Sequence, residues 1–478
     1  MLTSLFRRLF RRSPPPHKCN SHIGAFTPAP APNSNFDSAS ADTPTQPPLL
    51  QQEQLPADAS GIEDIGNSII CREAILDRQQ KIAGYQFQLQ KTSHAHIRIQ
   101  NRRVFHLYAE VLVRNLVHTN IFPLLGDRSI FIEIPDSFLG NPCLTQLPAG
   151  NTFFILYPVK DSASPTHDDM LSEVRVLRKL GYRIGIPDPV ATPAYFHMLP
   201  EIDLVSIQSS QIDIDTGENL VRFVLSKAQQ ALVLVRKLSS IEDFSFFHEI
   251  GTALFQGSFI VSREHWKKAD LGTNFAHLSM LLKKLQQDAE TREIVSILKQ
   301  DAAITLRLLR YINSAANGLR EHVASVEHAI TLLGRVPLQR WLMLLLCSSN
   351  RNQPRAAAVL ETALARARFM ELVSSSRPVA EREAIFLTGL LSLIDVILKQ
   401  PVEHALEALS VTDEIRNAIL YSQGIYAATL ALARACESTD MSRVVAAAEA
   451  CAIPPEQAST CYMEALSWTL ALQQDIYD

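Results

Sequence analysis

The chain has 478 residues, 47% of them hydrophobic, and a formal net charge of −4; it can bury sizeable cores in two or three domains of ordinary size, and no broad field draws it to nucleic acid. No apolar run reaches the roughly 18–20 residues of a membrane span, and at the start Leu9-Phe10 runs into Arg11-Arg12 rather than into a secretory core and cleavage site. Seven cysteines stand singly, without a CxxC pair or a His at metal spacing, as thiols do in a reducing cytosol.

Residues 1–12 (MLTSLFRRLFRR) sort as a helix into an Arg7, Arg8, Arg11, Arg12 side and a Leu2, Leu5, Phe6, Leu9, Phe10 side. That pattern suits weak contact with an anionic membrane surface or a partner's groove, and a frayed start is the plainer alternative. Residues 1–66 are otherwise rich in Pro, Ala, Ser, Thr and Gln, a composition that cannot offset the entropy of ordering and predicts a disordered tether.

From 67 to 265 the signals alternate. Short β-favouring runs fall at Ser68–Ile75, Ile82–Leu89, Ser129–Ile134, Thr152–Tyr157, Tyr182–Ile186, Leu204–Ile207, Ala231–Val235 and Ser258–Val261. Helices fall between some of them, as at Asp169–Leu180 and from Ser240, with Asp243 in capping-box position, to about Gly251. So many β-then-α units predict a closed α/β barrel, with any site at the C-terminal strand ends. From 269 to 478 the pattern is all-helical. Asp301–Gly334 carries apolar residues at Ile304, Leu308, Leu309 and Ile312, a Ser325 N-cap and a Gly334 C-cap; further helices are expected at Ala356–Leu372, Glu381–Lys399, Glu403–Leu409, Asp413–Leu420, Ala427–Ala435, Ser442–Ala450 and Pro455–Leu472.

Two resemblances attach to these halves. Leu306–Ser314, Ala315–Leu319, Val326–Gly334 and Phe386–Gln400 resemble the HDOD domain, an all-helical relative of metal-dependent HD phosphohydrolases that serves in bacterial signalling without a metal. The resemblance places Ser392-Leu393 where HD enzymes carry their His-Asp pair, and a hydroxyl with an alkyl group cannot hold a divalent ion. Arg72–Gln90, Phe131–Leu139, Gly181–Val190 and Phe255-Gln256-Gly257 resemble the EAL domain, a barrel that in active form hydrolyses cyclic di-GMP with two carboxylate-held metals.

Aligned on those phrases, the family's Glu-Ala-Leu becomes Gln86-Phe87-Gln88 and the basic residue after it becomes Gln90. The family's Asn aligns with Glu133, its tandem Asp with Pro187-Asp188, and its Lys-Ile-Asp with Ser206-Ile207-Gln208. Amides are poor ligands for hard cations. Asp188, Lys237 and Gln256 remain at matched positions and are candidate remnants of a ligand site, with turn or strand-end roles as the plainer reading. No catalytic residue, metal or cofactor is expected, because two-metal hydrolysis needs several carboxylates and a base. His167-Asp168-Asp169 reads as helix capping, His328 and His404 stand without a second ligand, and the basic side around Arg307 and Arg310 reads as a solvated face.

The expectation is therefore a degenerate EAL-like barrel followed by an HDOD-like domain: a non-catalytic bacterial signalling regulator in or near the cyclic di-GMP network, cytoplasmic or peripheral at the inner membrane surface, working through protein partners. A cyclic di-GMP receptor that does not cut its ligand is the alternative, and residual phosphodiesterase activity ranks last.

Overall fold

The computed structural model describes residues 70–89, 102–158, 165–190, 192–209, 214–264, 266–267, 272–313, 323–348, 355–438 and 441–477. The tail over 1–66, with the basic helix at its start, lies outside the described residues, as do Gln90 and Ala315–Leu319.

Eight strands close a barrel in sequence order: β1 (Ile70–Asp77), β2 (Ile82–Leu89), β3 (Ser129–Pro135), β4 (Thr152–Tyr157), β5 (Arg183–Pro187), β6 (Leu204–Gln208), β7 (Leu232–Arg236) and β8 (Leu254–Gln256). From β2 to β8 every neighbour is parallel, whereas β1 runs antiparallel to both β2 and β8. Alternation builds both faces. Ile75, Phe131, Phe153, Leu204, Leu234 and Leu254 fill the lumen, with the Phe131 and Phe153 rings stacked 4.6 Å apart, while Tyr85, Ile132, Phe154 and Val233 face the covering helices. Those helices are α1 (Arg102–His118), α2 (Phe122–Leu125), α3 (His167–Lys179), α4 (Ile214–Lys227) and α5 (Ile241–Glu249). The capping box expected at Ser240 and Asp243 opens α5.

The strand expected at Ser258–Val261 is corrected: the last strand is β8, and Ser258–Val261 is a 3-10 turn. Gly257, at φ 151, doubles the chain back onto Leu238, and a Cβ there would lie 2.2 Å from the Leu238 carbonyl oxygen. That turn buries Phe259 against Phe244 instead of extending the sheet.

The second half holds α6 (Gly272–Gln286), α7 (Thr291–Gln300), α8 (Ala302–Ile312), α9 (Val326–Leu333), α10 (Arg335–Cys347), α11 (Ala356–Val373), α12 (Val379–Leu391), α13 (Ile394–Leu398), α14 (Val402–Ala408), α15 (Asp413–Leu420), α16 (Ala427–Cys436), α17 (Met441–Ala450) and α18 (Pro455–Tyr477). Asp301 caps α8 by accepting from the amides of Ala303 and Ile304, and Ser325 caps α9. The single helix expected over Glu381–Lys399 is two, α12 and α13, broken at Ser392-Leu393. The break has a cause: Ser392 Oγ donates back to the Gly389 carbonyl at 2.7 Å while receiving Arg366 Nη1 at 2.5 Å. Among the described residues no single helix is long and apolar enough to cross a membrane; α9 and α10 reach that length only taken together, and they meet at 109°.

Gly389 lets α12 press close against α11, since a Cβ there would fall 2.6 Å from Ala367 Cα on α11. We expect Gly389→Ala to cost ~1–3 kcal/mol by overpacking, read as a lowered urea midpoint; an unchanged midpoint would mean that α11 and α12 part freely.

Barrel and helices share one continuous apolar core. Arg355 ties the seam by donating to the Phe259 carbonyl and pairing with Glu264, both at 2.6 Å. Deeper in it, Glu361 of α11 is 1% exposed and pairs with Arg72 of β1 at 2.5 Å.

Candidate functional site

Above the apolar lumen layer, the next inward position on most strands is polar. Two residues before Ile75 stands Glu73, two after Gly84 stands Gln86, two after Phe131 stands Glu133, and two after Leu234 stands Arg236. These side chains join in a ring. Gln256 Nε2 donates to Glu73 Oε2 at 2.7 Å and to Gln86 Oε1 at 2.8 Å. Gln86 Nε2 donates to Glu133 Oε1 at 2.9 Å. Arg236 then closes the circuit, with Nη1 on Glu133 Oε1 at 2.5 Å and Nε on Gln256 Oε1 at 2.8 Å. Gln88 adds a bond to Glu73 Oε1 at 3.0 Å.

Electrostatics follow from burial. Gln86, Gln256 and Arg236 are all buried. Burial works against the Arg236 charge, but Glu133 more than offsets it and holds the guanidinium firmly protonated. Burial pushes the Glu73 carboxyl up despite Arg236. The Tyr157 hydroxyl is pushed up to about 12, by burial first and Glu133 second, and Gln208 is bonded to it.

Four of the positions singled out in the sequence therefore come together at the mouth: Gln86, Glu133, Gln208 and Gln256. Asp188 and Lys237 take no part in the ring's hydrogen bonds. Asp188, following Pro187 at the end of β5, accepts from the Val190 amide at 2.8 Å, and its carbonyl accepts from Thr192, which closes a turn. Lys237 is exposed at φ 58, and its carbonyl accepts from Ser209 Oγ at 3.0 Å. In the helical half Ser392 and Leu393 are buried. His167-Asp168-Asp169 begins α3, where Thr166 and Asp169 cap each other.

Sequence reading named Gln88 only as part of the altered Glu-Ala-Leu phrase and missed Glu73, Tyr157 and Arg236. The signal was available: period-two alternation counted from the lumen residues points to each of them.

A two-metal centre does not fit this donor set. The ring offers two carboxylates, and Glu73 has both oxygens engaged by amides while Glu133 is bridged by Gln86 and Arg236. Arg236 sets a fixed cation against Glu133, where a divalent ion would need a free carboxylate. Among the described residues no cluster of three or more His, Cys, Asp or Glu is placed to hold a metal.

Comparison with known proteins gives three results. Residues 275–420 match the HDOD domain family. Two curated relatives match most of the chain: the cyclic di-GMP phosphodiesterase CdgJ of Vibrio cholerae serotype O1, 23% identical over 380 residues, covering 78% of this chain and 86% of the relative, and the uncharacterized protein YuxH of Bacillus subtilis, 22% identical over 406 residues, covering 84% and 97%. Among solved structures, an EAL domain protein from Listeria monocytogenes is 15% identical over 43% of this chain and 93% of that chain, with a TM-score of 0.35. The Bacillus subtilis YkuI protein, with an EAL domain and in complex with c-di-GMP and calcium, is 13% identical over 57% and 74%, with a TM-score of 0.36.

Proposed function

From a chain that joins a closed eight-stranded barrel to an HDOD domain, we propose a bacterial regulator of the cyclic di-GMP signalling network that does not hydrolyse the nucleotide. The link to cyclic di-GMP is supported by CdgJ, which is named a phosphodiesterase of that nucleotide and aligns with 78% of this chain. The observation that carries the non-catalytic reading is Arg236, whose buried guanidinium bridges Glu133 and Gln256. Hydrolysis needs metal-held water facing the phosphodiester, and here both ring carboxylates are engaged, Glu73 by Gln88 and Gln256 and Glu133 by Gln86 and Arg236. On this reading the barrel survives as a rigid body, and the helical half meets protein partners.

A receptor role asks for cationic donors to the phosphates. Arg236 is engaged, which leaves exposed Lys237 as the rim's candidate.

The test is calorimetry of cyclic di-GMP into the full-length protein with Mg²⁺, followed by chromatography of the nucleotide. We expect intact nucleotide. A linear dinucleotide product would sink the proposal, whereas micromolar heat with intact nucleotide would make the receptor role the function and Lys237→Ala the first variant.

A further inference from the structure

The helical half carries a second charged cluster that the barrel mouth does not use. Arg263, on the segment leaving the barrel, places Nε 2.7 Å from Asp395 Oδ2 and Nη2 3.4 Å from the Ser392 carbonyl oxygen. Arg366 of α11 donates to Ser392 Oγ at 2.5 Å and clasps Glu437 through Nε and Nη2 at 2.8 and 2.7 Å. Arg434 stands on α16 three residues before Glu437, on the same helix face.

Three guanidiniums thus face two carboxylates, both engaged, while a third acid, Glu403 on α14, is exposed and acts on Asp395. Glu437 is bidentate on Arg366, and Asp395 gives Oδ2 to Arg263. Arg434 has neither an ion pair nor a hydrogen bond among the described residues. The imbalance reaches its protonation: burial first, then Arg366 and Arg263, hold the Arg434 pKa below its usual value. Asp395 does not correct it, because burial pushes that carboxyl up and its Oδ2 is already taken by Arg263.

We propose that Arg434 and Arg263, backed by Arg366, form a binding site for a phosphate group at the junction of the barrel and the helical domain. Guanidiniums match phosphate oxygens in paired, charge-assisted bonds. The Arg263 side chain is 49% exposed, which leaves the cluster open on that side, while Arg366 is fixed behind it at 4%. A phosphate there supplies the acceptor oxygens that Arg434 lacks and competes with Asp395 for Arg263. It therefore bears on the connector between the two domains, whatever the barrel mouth binds.

The test uses thermal unfolding of the full-length protein in inorganic phosphate against chloride at equal ionic strength. We expect a saturable rise in Tm with phosphate alone. Arg434→Gln should abolish the rise or shift its midpoint by about tenfold or more, and its phosphate-free Tm should equal or exceed that of the parent, because an unpaired cation facing two others has been removed. Arg263→Gln, at a half-exposed position, should lose the rise too, and it provides the answer if Arg434→Gln does not fold. No phosphate-specific rise in the parent, or an equal rise in both variants, overturns the proposal.

Discussion

Replacing Glu361 by alanine should cost the full-length protein ~3–5 kcal/mol, the usual penalty for removing one partner of a buried ion pair. The carboxylate is 1% exposed. It pairs with Arg72 at 2.5 Å, accepts from Tyr85 Oη at 2.8 Å and stands 3.8 Å from Arg128. Arg72 itself lies over the Tyr85 ring, 4.5 Å from its centroid, at 6% side-chain exposure. Truncation leaves that guanidinium buried beside an aromatic face without a counter-charge, and water cannot reach it. The seam between barrel and helices is where the loss falls, so both halves should unfold earlier and together. Urea midpoints followed by Trp fluorescence and by far-UV circular dichroism measure this. The double replacement Arg72→Met with Glu361→Leu should recover most of the loss, since apolar groups of similar size often match or exceed a buried pair. A single variant as stable as the parent would show that the pair contributes nothing to the seam.

The second large effect is at Arg340, which is 5% exposed. Its guanidinium holds Glu371 through Nη1 and Nη2 at 2.9 and 3.1 Å, reaches Glu383 at 3.0 Å, and lies 3.5 Å from the centroid of the Phe386 ring. Burial pushes the Glu371 carboxyl up, but Arg340, and then Arg368, outweigh it and bring the pKa from 4.5 to about 2. A carboxyl depressed by folding adds stability that is fully present above pH 4.5 and is lost as pH falls toward 2. The size is about 3 kcal/mol. Burial moves the Glu383 carboxyl in the opposite direction, so its protonation offsets part of that loss. We expect urea stability to drop between pH 5 and pH 3, and Arg340→Met to cost ~3–5 kcal/mol at neutral pH and to flatten the acid limb. A variant with the parent's acid dependence would exclude Glu371 as its source.

The strands were legible because short β-favouring runs, buried on both faces of a parallel sheet, write them directly: Ile82–Leu89 and Thr152–Tyr157 have the bounds expected of them. The helical phrases held for a related reason, since capping residues such as Asp301 and Ser325 act within one turn. The ring was only half legible. Matching phrases to a family directs attention to Lys237, whereas the side chain that enters the lumen belongs to its neighbour Arg236, and only a count along the strand decides between them. The seam was not legible at all. Glu361 sits on an alanine-rich helix and reads as a surface acid, because its partner Tyr85 is 276 positions away. Nor does a run such as Glu381–Lys399 announce its interruption, which depends on Arg366 reaching Ser392 from another helix.

The reversed first strand has a spatial consequence. Ile70 is paired with Leu89, at the C-terminal end of a strand parallel to its other neighbours. Ile70 therefore stands at the rim that carries the Arg236 ring rather than at the barrel floor. A group attached at Ile70 is held close to that ring, and such leashing raises local concentration without any contact of its own.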